Sequence, residues 1–218
     1  MNWTVKRVLI VVKAYPNPSR KYQETVCVAG ISLDDKRWIR LYPIPYRDLD
    51  SDKKFKKYNI IQVEILKSND DQRPESYKIR PGSIKILDFL TTKDNWRKRK
   101  EMILPLASNS MCEILEESKN SGKSLGMFKP KNVEFYWKEI KFPNNQIKRH
   151  YYAQLSFFNP PKNVIEKIPF EFRYKFFCKN RSDCPGHDYL IVDWELGQAY
   201  RKWRHMYKNK EILMEKIK

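Results

Sequence analysis

The chain has few glycines, few cysteines and no long apolar run, and each shortage argues against a class of protein. Only 6 of the 218 residues are glycine, which argues against nucleotide binding through a glycine-rich phosphate loop. No apolar run approaches the roughly 20 residues of a membrane-spanning helix. The 4 scattered cysteines are too few for the disulfide scaffold of a small secreted domain. Without a targeting segment at its start, the chain is expected in a reducing cytoplasm.

The charge is strongly one-sided. Lys and Arg total 44 against 26 Asp and Glu, which gives a net charge of +18. Hydrophobic residues still make up 41% of the chain, a composition that argues for a folded core rather than disorder. A positive surface attracts polyanions, so the charge favours nucleic acid as the partner, either DNA or RNA. A membrane partner is not expected, because we find neither a basic amphipathic helix with a broad apolar face nor a lipidation signal. Compositional bias alone is the other explanation of the charge.

Short β-rich segments separated by proline and glycine predict a small barrel in the first ninety residues. Five such segments occupy residues 7–13, 25–31, 37–42, 60–65 and 83–89. Strands of this length and spacing are typical of small barrels and sandwiches.

The pattern then becomes helical before it returns to β. Residues 95–104 and 110–118 predict two helices, and Ser110 with Glu113 forms a capping box at the start of the second. Alternation returns at 132–139, 169–178 and 187–193, and a basic helix with an apolar stripe ends the chain. We therefore predict a mainly β fold with helical additions: two OB-like small β-barrels bridged by a helical pair, with a C-terminal helix. The predicted units are a first OB-like β-barrel at 1–92, a helical insert at 93–121, a second OB-like β-domain at 122–192 and a C-terminal basic helix at 193–218.

Metal-binding residue types are concentrated near the end of the second β segment. Cys178, Cys184 and His187 lie within ten residues and could supply three of the four ligands that zinc prefers. The fourth ligand could be Cys27, His205, Asp188 or a water molecule. The alternative is a core cysteine, a loop cysteine and a histidine that stabilises a turn. Cys27 and Cys112 are interpreted as buried thiols because their sequence neighbours are apolar.

Acidic residues beside the same histidine suggest a second kind of site. His187, Asp188, Asp193 and Glu195 could hold a divalent metal for phosphodiester hydrolysis, as in a metal-dependent nuclease. The alternative needs no chemistry: Asp193 caps the terminal helix, and Glu195 lies in its first turn.

Basic residues alternate with aromatic ones in several places, which is typical of proteins that stack bases and bind phosphates. Examples are found around residue 40, at 96–100, at 148–152 and in the terminal helix. The alternative is that the aromatic rings lie in the core and the charges are solvated. The expected nucleic-acid contacts are Arg37, Trp38, Arg40, Tyr42, Arg97 and Arg201.

Several short motifs resemble the dual OB domain family of prokaryotic conflict and defence systems. The resemblance rests on the sequences at 8–10, 27–31 and 38–40 and on the closing patterns at 174–178, 184–187 and 193–195. It implies two OB-like barrels and recognition of nucleic acid or a nucleotide, and it supplies no catalytic residues. The helical insert departs from the compact members of that family.

These observations predict a nucleic-acid-binding module that serves a prokaryotic defence system. A metal-dependent nuclease is the first alternative. The second is a protein–protein adaptor that binds a protein encoded nearby and whose charge confers solubility.

Overall fold

Two β-sheets organise the described part of the chain. The computed structural model describes residues 2–19, 23–140 and 168–218. The first sheet holds seven strands, and the second holds three. No helix in the described ranges is long and apolar enough to cross a membrane.

The first sheet forms from strands whose buried side chains alternate with more exposed ones. In the fifth strand Ile61, Val63 and Ile65 are buried while their neighbours are half-buried, as the two-residue period of a strand requires. The strands are β1 (Thr4–Lys13), β2 (Asn17–Ser19), β3 (Gln23–Ser32), β4 (Arg37–Ile44), β5 (Asn59–Lys67), β6 (Ser76–Ile79) and β7 (Lys85–Phe89). Short 3₁₀ helices occur at Tyr46–Asp48, Ser51–Lys53 and Pro81–Ser83.

Five of these strands close into a barrel because β1 pairs with both β3 and β5. The order around the barrel is β1, β3, β4, β6, β5 and back to β1. The β4–β6 pair is parallel, whereas the other four pairs are antiparallel. This is the Greek-key arrangement of the OB fold. The predicted OB-like barrel is confirmed. The barrel also needs β6, which the sequence pattern did not predict because a strand of four residues is too short to show a clear alternation.

Apolar side chains fill the barrel and also cover part of its outer wall. The interior includes Val8, Val28, Leu41 and Phe55, all fully buried. A second cluster forms outside the wall around Leu9, Ile31, Leu90 and Ile103, with Trp38 packed against it. The helical insert therefore covers a patch of the barrel surface.

The rest of the chain combines helices with the second sheet. Its elements are α1 (Lys93–Ile103), a 3₁₀ turn (Leu104–Leu106), α2 (Met111–Ser121), β8 (Pro130–Glu139), β9 (Phe170–Cys178), β10 (His187–Leu190), α3 (Trp194–Met206) and α4 (Lys210–Ile217). The sheet is antiparallel, in the order β10, β9, β8. Phe172 of β9 packs with Tyr200 of α3 and with Leu213 and Met214 of α4. The predicted mainly β fold with helical additions and a helical C-terminus is confirmed, and the terminal segment holds two helices.

The start of α3 packs against the barrel. The ring of Trp194 lies 5.2 Å from that of Tyr46. Lys57 of the barrel donates to the Asp193 carboxylate at 2.7 Å. These contacts join the barrel to the part of the chain that comprises α2, the second sheet, α3 and α4, which we call the second unit.

Candidate metal centre

Three cysteines and one histidine converge on a single point of the second unit. The ligand atoms of Cys112, Cys178, Cys184 and His187 all lie within 4.8 Å of one another. Two of these residues are buried and two are half-buried. The described part of the chain contains no other group of three or more His, Cys, Asp or Glu residues with such spacing.

Five of the six distances within this cluster are close to those of a coordination tetrahedron. The sulfur of Cys112 lies 3.8 Å from that of Cys178 and 3.9 Å from that of Cys184. The Nε2 atom of His187 lies 3.5 Å from the Cys112 sulfur and 3.4 Å from each of the other two. A tetrahedral ion with bonds of about 2.3 Å to sulfur and about 2.0 Å to nitrogen holds its ligand atoms roughly 3.5–3.8 Å apart. The thiols are free, and the sulfur separations greatly exceed the ~2.05 Å of a disulfide bond. The cluster could therefore bind a metal ion such as zinc.

The hairpin of β9 and β10 supplies three of the four ligands. Cys178 ends β9, His187 begins β10, and Cys184 lies in the connection between them. Gly186 makes this connection possible because its φ of 84° lies in the left-handed region, and a Cβ atom there would lie 3.1 Å from the ring of Phe177. The turn at Gly186, between Cys184 and His187, thus brings the Cys184 sulfur and the histidine to the same side of the hairpin.

The fourth ligand comes from α2. Cys112 is the second residue of this helix, which begins at the N-cap Ser110. The Ser110 hydroxyl accepts from the backbone amide of Glu113 at 3.0 Å, which confirms the predicted cap. The cap fixes the first turn of α2, and the first turn carries the Cys112 sulfur.

Local electrostatics distinguish the ligands from one another. Burial and the neighbouring thiols raise the pKa of Cys112 to about 11. Burial also opposes ionisation of Cys184, but the backbone amides of Cys178 and Gly186 donate to its sulfur, and the net effect lowers its pKa. Burial lowers the pKa of His187, which favours the neutral imidazole that metals bind.

Cys112 is the ligand that sequence reasoning missed. We interpreted it as a buried thiol, which is correct for its burial but overlooks its partners. The expected fourth ligands lie elsewhere. The Cys27 sulfur accepts from Arg40 at 3.1 Å, Asp188 pairs with Arg173, and His205 contacts Arg204. A separation of 66 residues from Cys178 leaves no local spacing signal for Cys112.

The four residues considered for hydrolysis do not form one site. His187 lies in the cysteine cluster, whereas the adjacent Asp188 accepts from Arg173 at 2.8 Å and from Tyr136 at 2.5 Å. Asp193 caps α3 by accepting from the amides of Glu195 and Leu196. Its carboxylate and that of Glu195 lie 2.7 and 3.7 Å from the ammonium group of Lys57. Their arrangement matches the helix-capping alternative.

The six expected nucleic-acid contacts have different surroundings. Arg37 and Arg97 are exposed, with 62% and 63% of their side chains accessible. Tyr42 and Arg201 are half-buried. Trp38 packs against the outer cluster of the barrel, and Arg40 is paired with Asp71 with only 12% of its side chain accessible. The basic segment at 148–152 lies outside the described residues.

Comparison with known proteins divides the chain into two parts. Residues 4–105 match the model of the domain of unknown function DUF8758. Residues 107–218, which include all four ligands of the cluster, match that of the domain of unknown function DUF8757. No match was found among the curated proteins or the solved structures. Because the second model spans just over half of the chain, the protein belongs to the family of the domain of unknown function DUF8757.

Proposed function

We propose that the protein is a nucleic-acid-binding module in which a zinc ion holds the second unit together. The observation that carries the binding proposal is an OB-type barrel in a chain of net charge +18. OB folds recur as binders of nucleic acid strands, and a large positive charge favours association with phosphates.

The cysteine cluster supports a structural role for zinc. Its four protein ligands would complete a tetrahedral shell, and a closed Cys₃His shell is typical of structural zinc, whereas catalytic zinc keeps a position for water. The ion would join α2 to the β9–β10 hairpin. Zinc binding would then contribute directly to the free energy of unfolding of this unit, because an unfolded chain does not hold the ligands together.

Metal content tests the zinc proposal. We expect purified wild-type protein to contain one zinc per chain by elemental analysis, and a strong chelator to lower its melting temperature. Cys112→Ser should abolish stoichiometric zinc, whereas Cys27→Ser should retain it because Cys27 contacts Arg40 instead. Substitution with Co²⁺ should give the absorption of a tetrahedral thiolate complex in the wild type. A metal-free wild-type protein that also fails to take up Co²⁺ would contradict the proposal.

Salt dependence tests nucleic-acid binding. We expect the full chain to bind single-stranded oligonucleotides with an affinity that falls steeply and log-linearly as salt concentration rises. The measurement is fluorescence anisotropy with labelled DNA and RNA of equal length at several salt concentrations. An absence of binding at low salt, or binding that does not depend on salt, would contradict the proposal.

A further inference from the structure

An exposed apolar edge lies where the barrel meets the helical insert. We call it the β7–α1 corner and define it as residues 85–89 and 93–100. All five residues of β7 are exposed, including Leu87 at 49% and Phe89 at 44%. Trp96 of α1 is 54% exposed. Large exposed apolar side chains that share one surface region usually mark a binding site.

The backbone that presents Trp96 adopts an unfavourable conformation. Asp94, Asn95 and Trp96 have φ values of 53°, 52° and 62°, all in the left-handed region. Asp and Asn tolerate this region, but for a bulky L-residue such as Trp it is unfavourable. A bulky residue held in such a conformation at an exposed position fits a ligand-binding role, because strained residues cluster at functional sites.

Arg99 attaches the helix that follows the strained turn to the barrel. The guanidinium group of Arg99 donates to the Leu90 carbonyl at 2.8 and 2.6 Å. The same group lies 3.7 Å from the centre of the Tyr58 ring and 5.7 Å from that of Phe89. Since Leu90 belongs to the buried cluster on the barrel wall, these contacts hold α1 against the wall while the Trp96 side chain remains 54% exposed.

The surroundings of Trp96 are strongly cationic. The sequence of α1 contains five Lys or Arg residues and two carboxylates. Arg97 lies near both carboxylates, at 3.3 Å from Asp94 and 3.9 Å from Glu101. Within the described ranges no carboxylate pairs with Lys93, Lys98 or Lys100, all of which are exposed. These three ammonium groups are therefore available to an anionic ligand.

We infer that the β7–α1 corner binds single-stranded nucleic acid, with bases stacked on Trp96 and Phe89 and with phosphates near Lys93, Lys98 and Lys100. This inference rests on the proposed function. Unpaired bases expose flat faces that stack on aromatic rings, whereas the bases of a duplex do not, so the exposed indole favours a single strand. The excess of cations favours a polyanion over an apolar peptide. The position also differs from the outer face of β3 and β4 used by many OB folds, where Trp38 is packed and Arg40 is paired.

Substitutions of Trp96 test the stacking. We expect Trp96→Ala to weaken binding of a single-stranded oligonucleotide by about 5- to 150-fold, which corresponds to a stacking contribution of about 1–3 kcal/mol per base. Trp96→Phe should restore most of the affinity because it keeps an aromatic face. The matched control is Trp3→Ala, since Trp3 is also exposed, at 37%, but lies outside the corner beside Arg80. Affinities for DNA and RNA of equal length should fall together.

Paired charge removals test the phosphate contacts. Lys98→Gln with Lys100→Gln should reduce the slope of log affinity against log salt by about 1.4, since each contact with a single strand contributes about 0.7. Lys216→Gln with Lys218→Gln removes the same charge from two exposed lysines at the end of α4 and just after it, and we expect little change in slope. Equal losses from the two pairs would show that only the overall charge matters and would overturn the inference.

The outcomes separate this inference from the proposed function. If the wild type does not bind oligonucleotides, both the proposed function and this inference fail. If the wild type binds and Trp96→Ala binds equally well, the corner is not the site, although the proposed function stands. Oligoglutamate of matched charge that competes as well as the oligonucleotide would also overturn the inference, because it would indicate an acidic protein as the partner. Unchanged circular dichroism and melting temperature for each variant establish that a loss of binding is not a loss of fold.

Discussion

Arg40 carries a positive charge into a nearly closed site on the barrel wall. Its guanidinium group donates to Asp71 at 2.6 Å and to the Ser76 hydroxyl at 3.1 Å. Asp71 also accepts from Arg73 at 2.8 and 2.9 Å. These bonds join β4 to the segment that leads into β6. The charge of Arg40 thus stabilises the parallel β4–β6 pairing of the barrel.

Removal of the Asp71 carboxylate should therefore cost stability. We expect Asp71→Asn to lower the free energy of unfolding by about 1.5–3 kcal/mol, the usual contribution of hydrogen bonds to charged groups. Asp70→Asn is the matched control because Asp70 makes an exposed ion pair with Lys78; such pairs contribute about 0–1 kcal/mol. Urea denaturation of the two variants measures the difference. Similar losses in both would contradict the structural role of Asp71.

The same carboxylate predicts a pH dependence. Hydrogen bonds from Arg73, together with those from Ser76, hold the pKa of Asp71 below its ordinary value of 3.8. A lowered folded-state pKa stabilises the fold fully above the unfolded value, and this contribution is lost as the pH falls below it. We expect the stability difference between the wild type and Asp71→Asn to be constant near neutral pH and to shrink below about pH 4. A stability difference between the two proteins that grows on acidification would contradict the lowered pKa of Asp71.

Among the helices, α2 couples local structure to the metal centre. Its N-cap Ser110 precedes Cys112 by two residues, so the cap that begins the helix also positions a ligand. The Glu113 carboxylate accepts from the amide of Asn109 at 2.8 Å and completes the turn. Loss of the cap should therefore affect both the helix and the metal.

We expect Ser110→Ala to lower the free energy of unfolding by about 1 kcal/mol, as is usual for an N-cap serine. It should also speed the release of zinc to a chromogenic chelator, because Cys112 loses its fixed position. Ser121→Ala at the other end of α2 is the control, since the Ser121 hydroxyl is exposed and donates to the Glu117 carbonyl. Unchanged zinc release by Ser110→Ala would show that the hairpin ligands alone determine retention of the ion.

Elements with a strong local pattern were predictable from sequence, and those defined by distant partners were not. Short β-rich segments bounded by turn residues identified β1, β3, β4 and β5. Alternation of apolar residues identified β8 and β9, because one buried face imposes a period of two. β6 is defined by its pairing with β4 and β5. Three hairpin ligands were visible as a short cluster, but Cys112 joins them through tertiary packing. Trp38 is half-buried against the cluster that the helical insert completes, and its strand pattern left this packing open as an alternative to nucleic-acid contact.

At the scale of the whole molecule, a glycine determines how closely the two units approach. Gly197 of α3 is buried, and a Cβ atom at this position would lie 2.2 Å from Cδ2 of Tyr15. The backbone amide of Tyr15 donates to the Val192 carbonyl at 2.6 Å, so Tyr15 cannot easily move away. The absence of a side chain at Gly197 is therefore what allows α3 to contact the barrel.

A double-mutant cycle tests this contact. We expect Gly197→Ala to lower the free energy of unfolding by about 1–3 kcal/mol through overpacking. In a Tyr15→Ala background the same change should be neutral or stabilising by up to about 1 kcal/mol, because alanine favours helix more than glycine does. Thermal denaturation of the four proteins gives the coupling. An equal loss in both backgrounds would show that the two residues are not in contact.

Asp193 has two roles that cannot be separated. It accepts from the amides at the start of α3, and it pairs with Lys57 on the barrel. Detachment of the helix from the barrel would therefore also weaken its first turn. Unfolding of the barrel and of α3 should therefore be coupled. We expect a single peak in scanning calorimetry, with a measured enthalpy of unfolding that agrees with the van't Hoff enthalpy.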